Sequence, residues 1–249
     1  MNTSKPLQGK VAIVTGAGRG IGAAVAGALA REGASVCCVA RSGTELEQVV
    51  GDIRGAGGSA IASVCDISNP SSVEQMAAFA SSSFGGVDLL VANAGVSSDG
   101  KPVEESDIEA WRRTVDVNLF GTYLCARAVI PAMRSRGGGK IITIGSGMGH
   151  RARGGLSAYA CSKAATWMLT RVLANELGPY GIDVNELIPG PVVTAMTATD
   201  FASQHLAAPA LQDEWFKSPK DVLPLLLFLA TQPPKGPSGQ SFGLARREM

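Results

Sequence analysis

Short apolar runs alternate with helical patterns along nearly the whole chain, and this rhythm most constrains its fold. The runs fall at residues 11–14, 36–40, 60–64, 87–92, 140–144 and 182–187, with a last short one near 240–244. They are too continuous for strands with one wet face, so they read as strands buried on both sides. Helical patterns fill the gaps: one from about residue 20, then 44–55, 70–84, 108–134, a stretch ending near 177, and 219–230. In the first of these Ile21, Val25 and Leu29 share a face. Strand–helix–strand alternation of this kind predicts an α/β domain. Its doubly wound parallel sheet would have about seven strands, with helices on both faces. Residues 1–249 read as a single domain, since no internal repeat or interdomain linker interrupts the pattern.

Bulk properties remove several function classes. The chain has 249 residues, 45% of them hydrophobic, enough for one large core. A net charge of +1 supplies no field that would call for nucleic acid or an anionic membrane as partner. The five cysteines, Cys37, Cys38, Cys65, Cys125 and Cys161, form no C-x-x-C pair. They read as reduced packing residues, which suits a cytoplasmic protein. Residues 1–10 are polar, unlike a signal peptide, and the apolar stretch 222–230 is too short to cross a bilayer. His150 and His205 lie far apart, so no metal cluster is expected.

Two motifs carry chemistry. Between the first strand and the first helix lie Gly16, Gly18, Gly20 and Gly22, with Arg19 and Ile21 among them. Glycines there let the backbone approach a pyrophosphate, and the helix N-terminus offers free N–H groups and a favourable dipole. No Gly-Lys-Ser/Thr follows, which excludes a P-loop. About twenty residues further on, NAD enzymes place an acid on the ribose. This chain has Ala40 and Arg41 there. Two cations, Arg19 and Arg41, and no carboxylate favour a 2′-phosphate, so NADP(H) is preferred over NAD(H). The second motif is Tyr159 with Lys163, four apart and hence on one helix face, with Ser146 thirteen residues upstream. An ammonium beside a phenol favours phenolate and would lower its pKa, making the pair a proton donor or acceptor near neutral pH.

With these motifs stand Asp66 after Cys65, Asn93-Ala94-Gly95, Asn118 after Val117, and Pro189-Gly190-x-x-x-Thr194. Taken in order, the set resembles the short-chain dehydrogenase/reductase family along nearly the whole chain. The resemblance implies a Rossmann fold and hydride transfer between a nicotinamide and a carbonyl or alcohol. It implies that Asn118, Ser146, Tyr159 and Lys163 form a catalytic tetrad. Ser146 would steady the carbonyl oxygen, Tyr159 would carry the proton, and Lys163 would hold the ribose. Asn118 would position a water leading to solvent. It further implies that Asp66 and Asn93 lie along the adenosine, and that Thr194 and the backbone near Ile188 meet the carboxamide. Gly95 and Pro189 fall within the matched cofactor motifs. A homotetramer is implied, built on the Tyr159 helix and the long helix before it, where Ala158, Ala164, Ala165 and Ala174 would permit close approach.

The leading expectation is an NADP(H)-dependent carbonyl reductase or alcohol dehydrogenase acting on a small, partly apolar molecule. The alternatives are a 3-oxoacyl thioester reductase and, in another class, a non-catalytic dinucleotide-binding regulator. Carrier-protein reductases of the family present arginines where this chain has Gly137 and Tyr180, with Arg134 and Arg136 near the first. The irregular segment 194–216 carries Met196, Phe201, Leu206, Leu211, Trp215 and Phe216 and reads as a lid. His150, Arg151 and Arg153 read as a cationic rim.

Overall fold

The computed structural model describes residues 5–97, 100–197 and 216–244. Its elements run β1 (Val11–Thr15), α1 (Gly20–Arg31), β2 (Ser35–Ala40), α2 (Gly43–Gly55), β3 (Ser59–Val64), α3 (Pro70–Phe84) and β4 (Leu89–Ala92). They continue with α4 (Ile108–Val115), α5 (Gly121–Ser135), β5 (Gly139–Ile144), α6 (Ser157–Leu177), β6 (Ile182–Ile188), α7 (Leu223–Ala230) and β7 (Ser241–Gly243). One sheet takes all seven strands in the order β3-β2-β1-β4-β5-β6-β7. Every pairing is parallel. The order reverses where β1 meets β4, and the carboxyl ends of strands at such a point leave a crevice for a ligand.

Strand alternation divides the core in two. Ala12, Val14, Val36 and Cys38 face a layer from α1, α2 and α7 that includes Leu29, Leu46 and Leu226. Ile13, Cys37, Leu90 and Ile141 face Met76, Val129 and Leu173 from α3, α5 and α6. Three helix starts, those of α2, α3 and α4, are written locally. Ser42 accepts from Glu45 N at 3.3 Å, Asn69 from Ser72 N at 3.0 Å with Pro70 next in line, and Asp107 from Ala110 N at 2.7 Å.

Two elements differ from the sequence reading. β4 begins at Leu89 rather than 87, because the Asp88 carboxylate itself accepts from Val11 N at 2.9 Å and binds Lys10 and Arg136. The stretch 108–134 is interrupted by a π-helical turn, Asp116–Phe120, between α4 and α5. A cause is visible at Asn118, whose amide is drawn onto the backbone of Val96, away from the helix. No helix among the described residues is long and apolar enough to cross a membrane.

Candidate active site

The β1–α1 turn is shaped by contacts that leave no room for side chains. Gly16 adopts φ +65°, and a Cβ there would press within 2.9 Å of Ala94 Cα and Asn93 Nδ2. A Cβ at Gly22 would overlap the carbonyl oxygen of Gly16. Asn93 Nδ2 donates to Thr15 O at 2.8 Å and Gly16 O at 3.2 Å, while Thr15 Oγ1 accepts from the N–H groups of Asn93 and Ala94, each at 3.0 Å. Asn93 thus braces the turn as well as facing the pocket. Helix α1 starts after Arg19 with no side-chain cap and no acidic residue in its first turn. Its leading N–H groups are left for an external anion, which fits a pyrophosphate.

From this turn a cavity of about 500 Å³ runs across the carboxyl ends of the strands. Gly16, Gly18, Arg19, Gly20, Ile21, Arg41, Asp66, Asn93, Gly95, Tyr159, Lys163, Pro189 and Thr194 all line it. Gly22, Asn118 and Ser146 do not line it, although Ser146 hydrogen-bonds Tyr159, which does. Asp66 accepts from Ser68 N at 3.0 Å and Ser68 Oγ at 2.7 Å, and these bonds, with Arg41 and Arg113 nearby, hold its carboxyl below the usual range. Thr194 is fixed by Thr197, whose Oγ1 accepts from Thr194 N at 3.0 Å.

The far end of the cavity is polar and enclosed. Lys163 is 6% exposed, and its Nζ donates to Ile144 O at 2.7 Å and lies 5.9 Å from the Tyr159 ring centre. Burial pulls the Lys163 ammonium down to about 8, and the Glu186 carboxylate opposes that pull. Tyr159 keeps part of its surface open to the cavity. Loss of hydration nonetheless pushes its phenol up, and a side-chain hydrogen bond with Ser146 pulls it partway back. The expectation that Lys163 lowers the phenol is therefore corrected: burial raises it, and the opposing pull comes from Ser146. Ser146 Oγ also accepts from Met148 N at 3.2 Å, which fixes the turn after β5. Asn118 Oδ1 accepts from Val96 N at 2.8 Å, and its Nδ2 donates to Val96 O and Ser162 Oγ, each at 3.0 Å. This side chain clamps the loop after β4 onto α6.

The short chain dehydrogenase family matches residues 10–205. The chain belongs to the short-chain dehydrogenase family.

It is 44% identical over 189 residues to the short-chain reductase protein NovJ of Streptomyces niveus, covering 76% of this chain and 71% of that protein. It is 36% identical over 240 residues to a 3-oxoacyl-[acyl-carrier-protein] reductase of Synechocystis, covering 96% of each. Among solved structures, a proposed NAD(P) dependent gluconate 5-dehydrogenase from Beutenbergia cavernae, with bound NADP at low occupancy, superimposes with a TM-score of 0.89. The two are 36% identical, and 95% of each chain is covered. As a short-chain dehydrogenase this protein is an oxidoreductase that binds a nicotinamide dinucleotide.

Against that family background, four features escaped the sequence reading. Glu45, in the first turn of α2, lines the cavity and pairs with Arg19 at 3.7 Å, so the nucleotide end does hold a second carboxylate beside Asp66. Its position three residues after the cap Ser42 was the available signal. Glu186 is fully buried in β6, a strand that also carries Asp183 and Asn185. His150 bonds Glu186 across 3.1 Å rather than standing free on a rim. Cys161, read as a packing residue, is exposed, whereas the other four cysteines are buried. The lid expectation falls mainly on residues 198–215, outside the described residues. Of the four alanines that would suit either close helix approach or packing on the sheet, Ala158 is fully buried and Ala174 packs against the core.

Proposed function

We propose that this short-chain dehydrogenase is an NADP(H)-dependent carbonyl reductase, with the reverse alcohol oxidation available, acting on a small or medium, partly apolar molecule. The observation that carries this reading is the joining of Tyr159 and Lys163 to the glycine turn through one cavity. The nicotinamide supplies or accepts the hydride when bound. The glycine turn and the uncapped start of α1 would hold the pyrophosphate, and Lys163 the nicotinamide ribose.

The residues around the reacting carbonyl divide the remaining work. As hydride adds to the carbonyl carbon, negative charge grows on its oxygen. Ser146 Oγ donates a hydrogen bond to that oxygen, and Tyr159 delivers its phenolic proton there. The raised phenol pKa keeps this proton in place at neutral pH, which suits reduction. The Lys163 ammonium steadies the phenolate left behind. Asn118 shapes the wall: a Cβ at Gly95 would come within 3.2 Å of its Oδ1 and 3.7 Å of Lys163 Nζ.

The preference for NADP(H) rests on Arg41 at the end of β2 and Arg19 in the turn. Glu45 moderates it through its pair with Arg19. A 3-oxoacyl thioester reductase is the second reading, supported by similarity to the Synechocystis reductase. Against it, Arg136 is tied to Asp88 at 3.0 Å, and Arg134 lies 3.8 Å over the Tyr180 ring. Neither guanidinium is left poised for an acidic carrier. A homotetramer is proposed through α5 and α6, where Tyr123, Met168 and Val172, with Phe120 from the π-helical turn, leave large apolar surface exposed.

The test is oxidation of NADPH and of NADH, followed by nicotinamide absorbance, across ketones, aldehydes, 3-oxoesters and 3-oxoacyl thioesters. Turnover of simple ketones with NADPH is expected. Reduction of thioesters alone would install the second reading, and faster rates with NADH would reverse the cofactor assignment. Tight cofactor binding with no turnover would favour the regulator.

A further inference from the structure

Against Gly145, in the wall of the site, lies an acid that the reaction described so far does not use. Glu186 occupies the middle of β6, between β5 and β7, and is 0% exposed. Its Oε2 accepts from Ser241 Oγ of β7 at 2.5 Å and lies 3.1 Å from His150 Nε2, on the loop after Ser146. Its Oε1 has no hydrogen-bond partner, the only such buried side-chain nitrogen or oxygen among the described residues. A buried carboxylate half satisfied is unfavourable by general rules, so its presence calls for a reason.

The reason lies in what surrounds it. Gly145, at the end of β5, makes the space: a Cβ there would overlap the Glu186 carboxylate. Gly145 and Ile144 both line the cavity, and Ile144 O holds the Lys163 ammonium. His150 from the loop pairs with Glu186 at 3.1 Å, and the ionisable group of the site that Glu186 acts on is Lys163 of α6, whose loss of charge it opposes. The Lys163 ammonium donates to Ile144 O, one residue before the Gly145 against which the carboxylate is lodged. His150 reaches the surface, its ring packing edge-on against Trp167 at 5.2 Å, with its side chain 29% exposed.

We propose that Glu186 is a positioning residue for Lys163: lodged against Gly145 and held by His150 and Ser241, its negative charge keeps the lysine an ammonium and sets the upper pH limit of the reaction. The proposal rests on the reading of Tyr159 and Lys163 as the proton-handling pair. Its physical content is simple. Enclosure drives the ammonium toward its neutral form, and an opposite charge in the same low-dielectric region resists that. The direction in which Glu186 acts on Lys163 agrees.

Glu186→Gln keeps the shape and removes the charge. Its alkaline limb in kcat/KM is expected to move down by about one pH unit, while the carboxylate-preserving Glu186→Asp stays close to wild type. His150→Lys tests the same field from the protein edge without touching the core. A permanent cation on Glu186 cancels part of its charge, and the limb is expected to fall by about half a unit. A second readout needs no turnover: the Kd for NADPH, measured against pH by its fluorescence, is expected to weaken at correspondingly lower pH in both the Gln and Lys variants. If no carbonyl is reduced by the wild type, the proposed function fails while this binding titration still decides the role of Glu186. Superimposable pH profiles for wild type, Glu186→Gln and His150→Lys would overturn the proposal. A shift shared equally by Glu186→Asp would also overturn it, because shape rather than charge would then be responsible. If Glu186→Gln does not fold, the His150→Lys profile alone decides.

Discussion

At the nucleotide end of the cavity the wall is largely backbone, formed by Gly16, Gly18 and Gly20 within one turn between β1 and α1. At the other end it is side chain, with Tyr159 and Lys163 from α6 backed by Ser146 after β5, Asn118 from the π turn and Glu186 from β6. The first end works by exclusion, since a Cβ at Gly16 or Gly22 would collide with backbone. The second works by electrostatics, since burial moves the Tyr159 phenol up and the Lys163 ammonium down, with Ser146 and Glu186 countering each. The difference teaches that cofactor affinity and chemistry should be separable by mutation.

The sharpest separation is Tyr159→Phe. Removing the proposed proton donor is expected to lower kcat by about 10²–10⁴-fold while the Kd for NADPH changes by less than about twofold. Parallel loss of binding would show that the two ends are coupled. Gly22→Ala attacks the opposite end. Its Cβ would meet Gly16 O and Asn93 Nδ2, forcing the turn apart. A loss of about 1–3 kcal/mol is expected in cofactor binding or thermal stability, read by NADPH titration and melting.

Smaller effects refine the contrast. Lys163 is held near 8, so its ammonium is present below that pH and lost above it. Reduction rates are expected to fall by about tenfold per pH unit on that alkaline side, and a flat profile to pH 10 would detach the lysine from the chemistry. Arg41→Ala is expected to reduce the NADPH-over-NADH preference by about tenfold, with kcat little changed, measured as the ratio of kcat/KM values. Glu45→Gln, which frees Arg19 of its partner at 3.7 Å, is expected to raise the same ratio by a factor of about two.

The two ends were not equally legible. The glycine turn needed only adjacent residues and its place after a strand, because the geometry it requires is local. Tyr159 and Lys163 were readable for the same reason, since helical spacing brings residues four apart onto one face. Glu45 was missed because it pairs with Arg19 across the gap between α2 and the turn. Glu186 was missed because strand periodicity cannot show that Gly145, just after the neighbouring strand β5, clears room for a carboxylate. Asn118 was found, but not the π turn that carries it, which depends on the backbone of Val96.

By itself, the sequence determined the parallel sheet, the strand-to-helix rhythm, the glycine turn and the Tyr159–Lys163 pair. Each follows from short-range sterics or from a repeating hydrophobic period. Only the tertiary structure decided the sign of the Tyr159 shift, the partners of Arg19 and Arg136, and the place of Glu186 against Gly145. Those outcomes depend on how much water is removed and which charges meet across distant segments, and burial and Coulomb interaction are set by the packed fold.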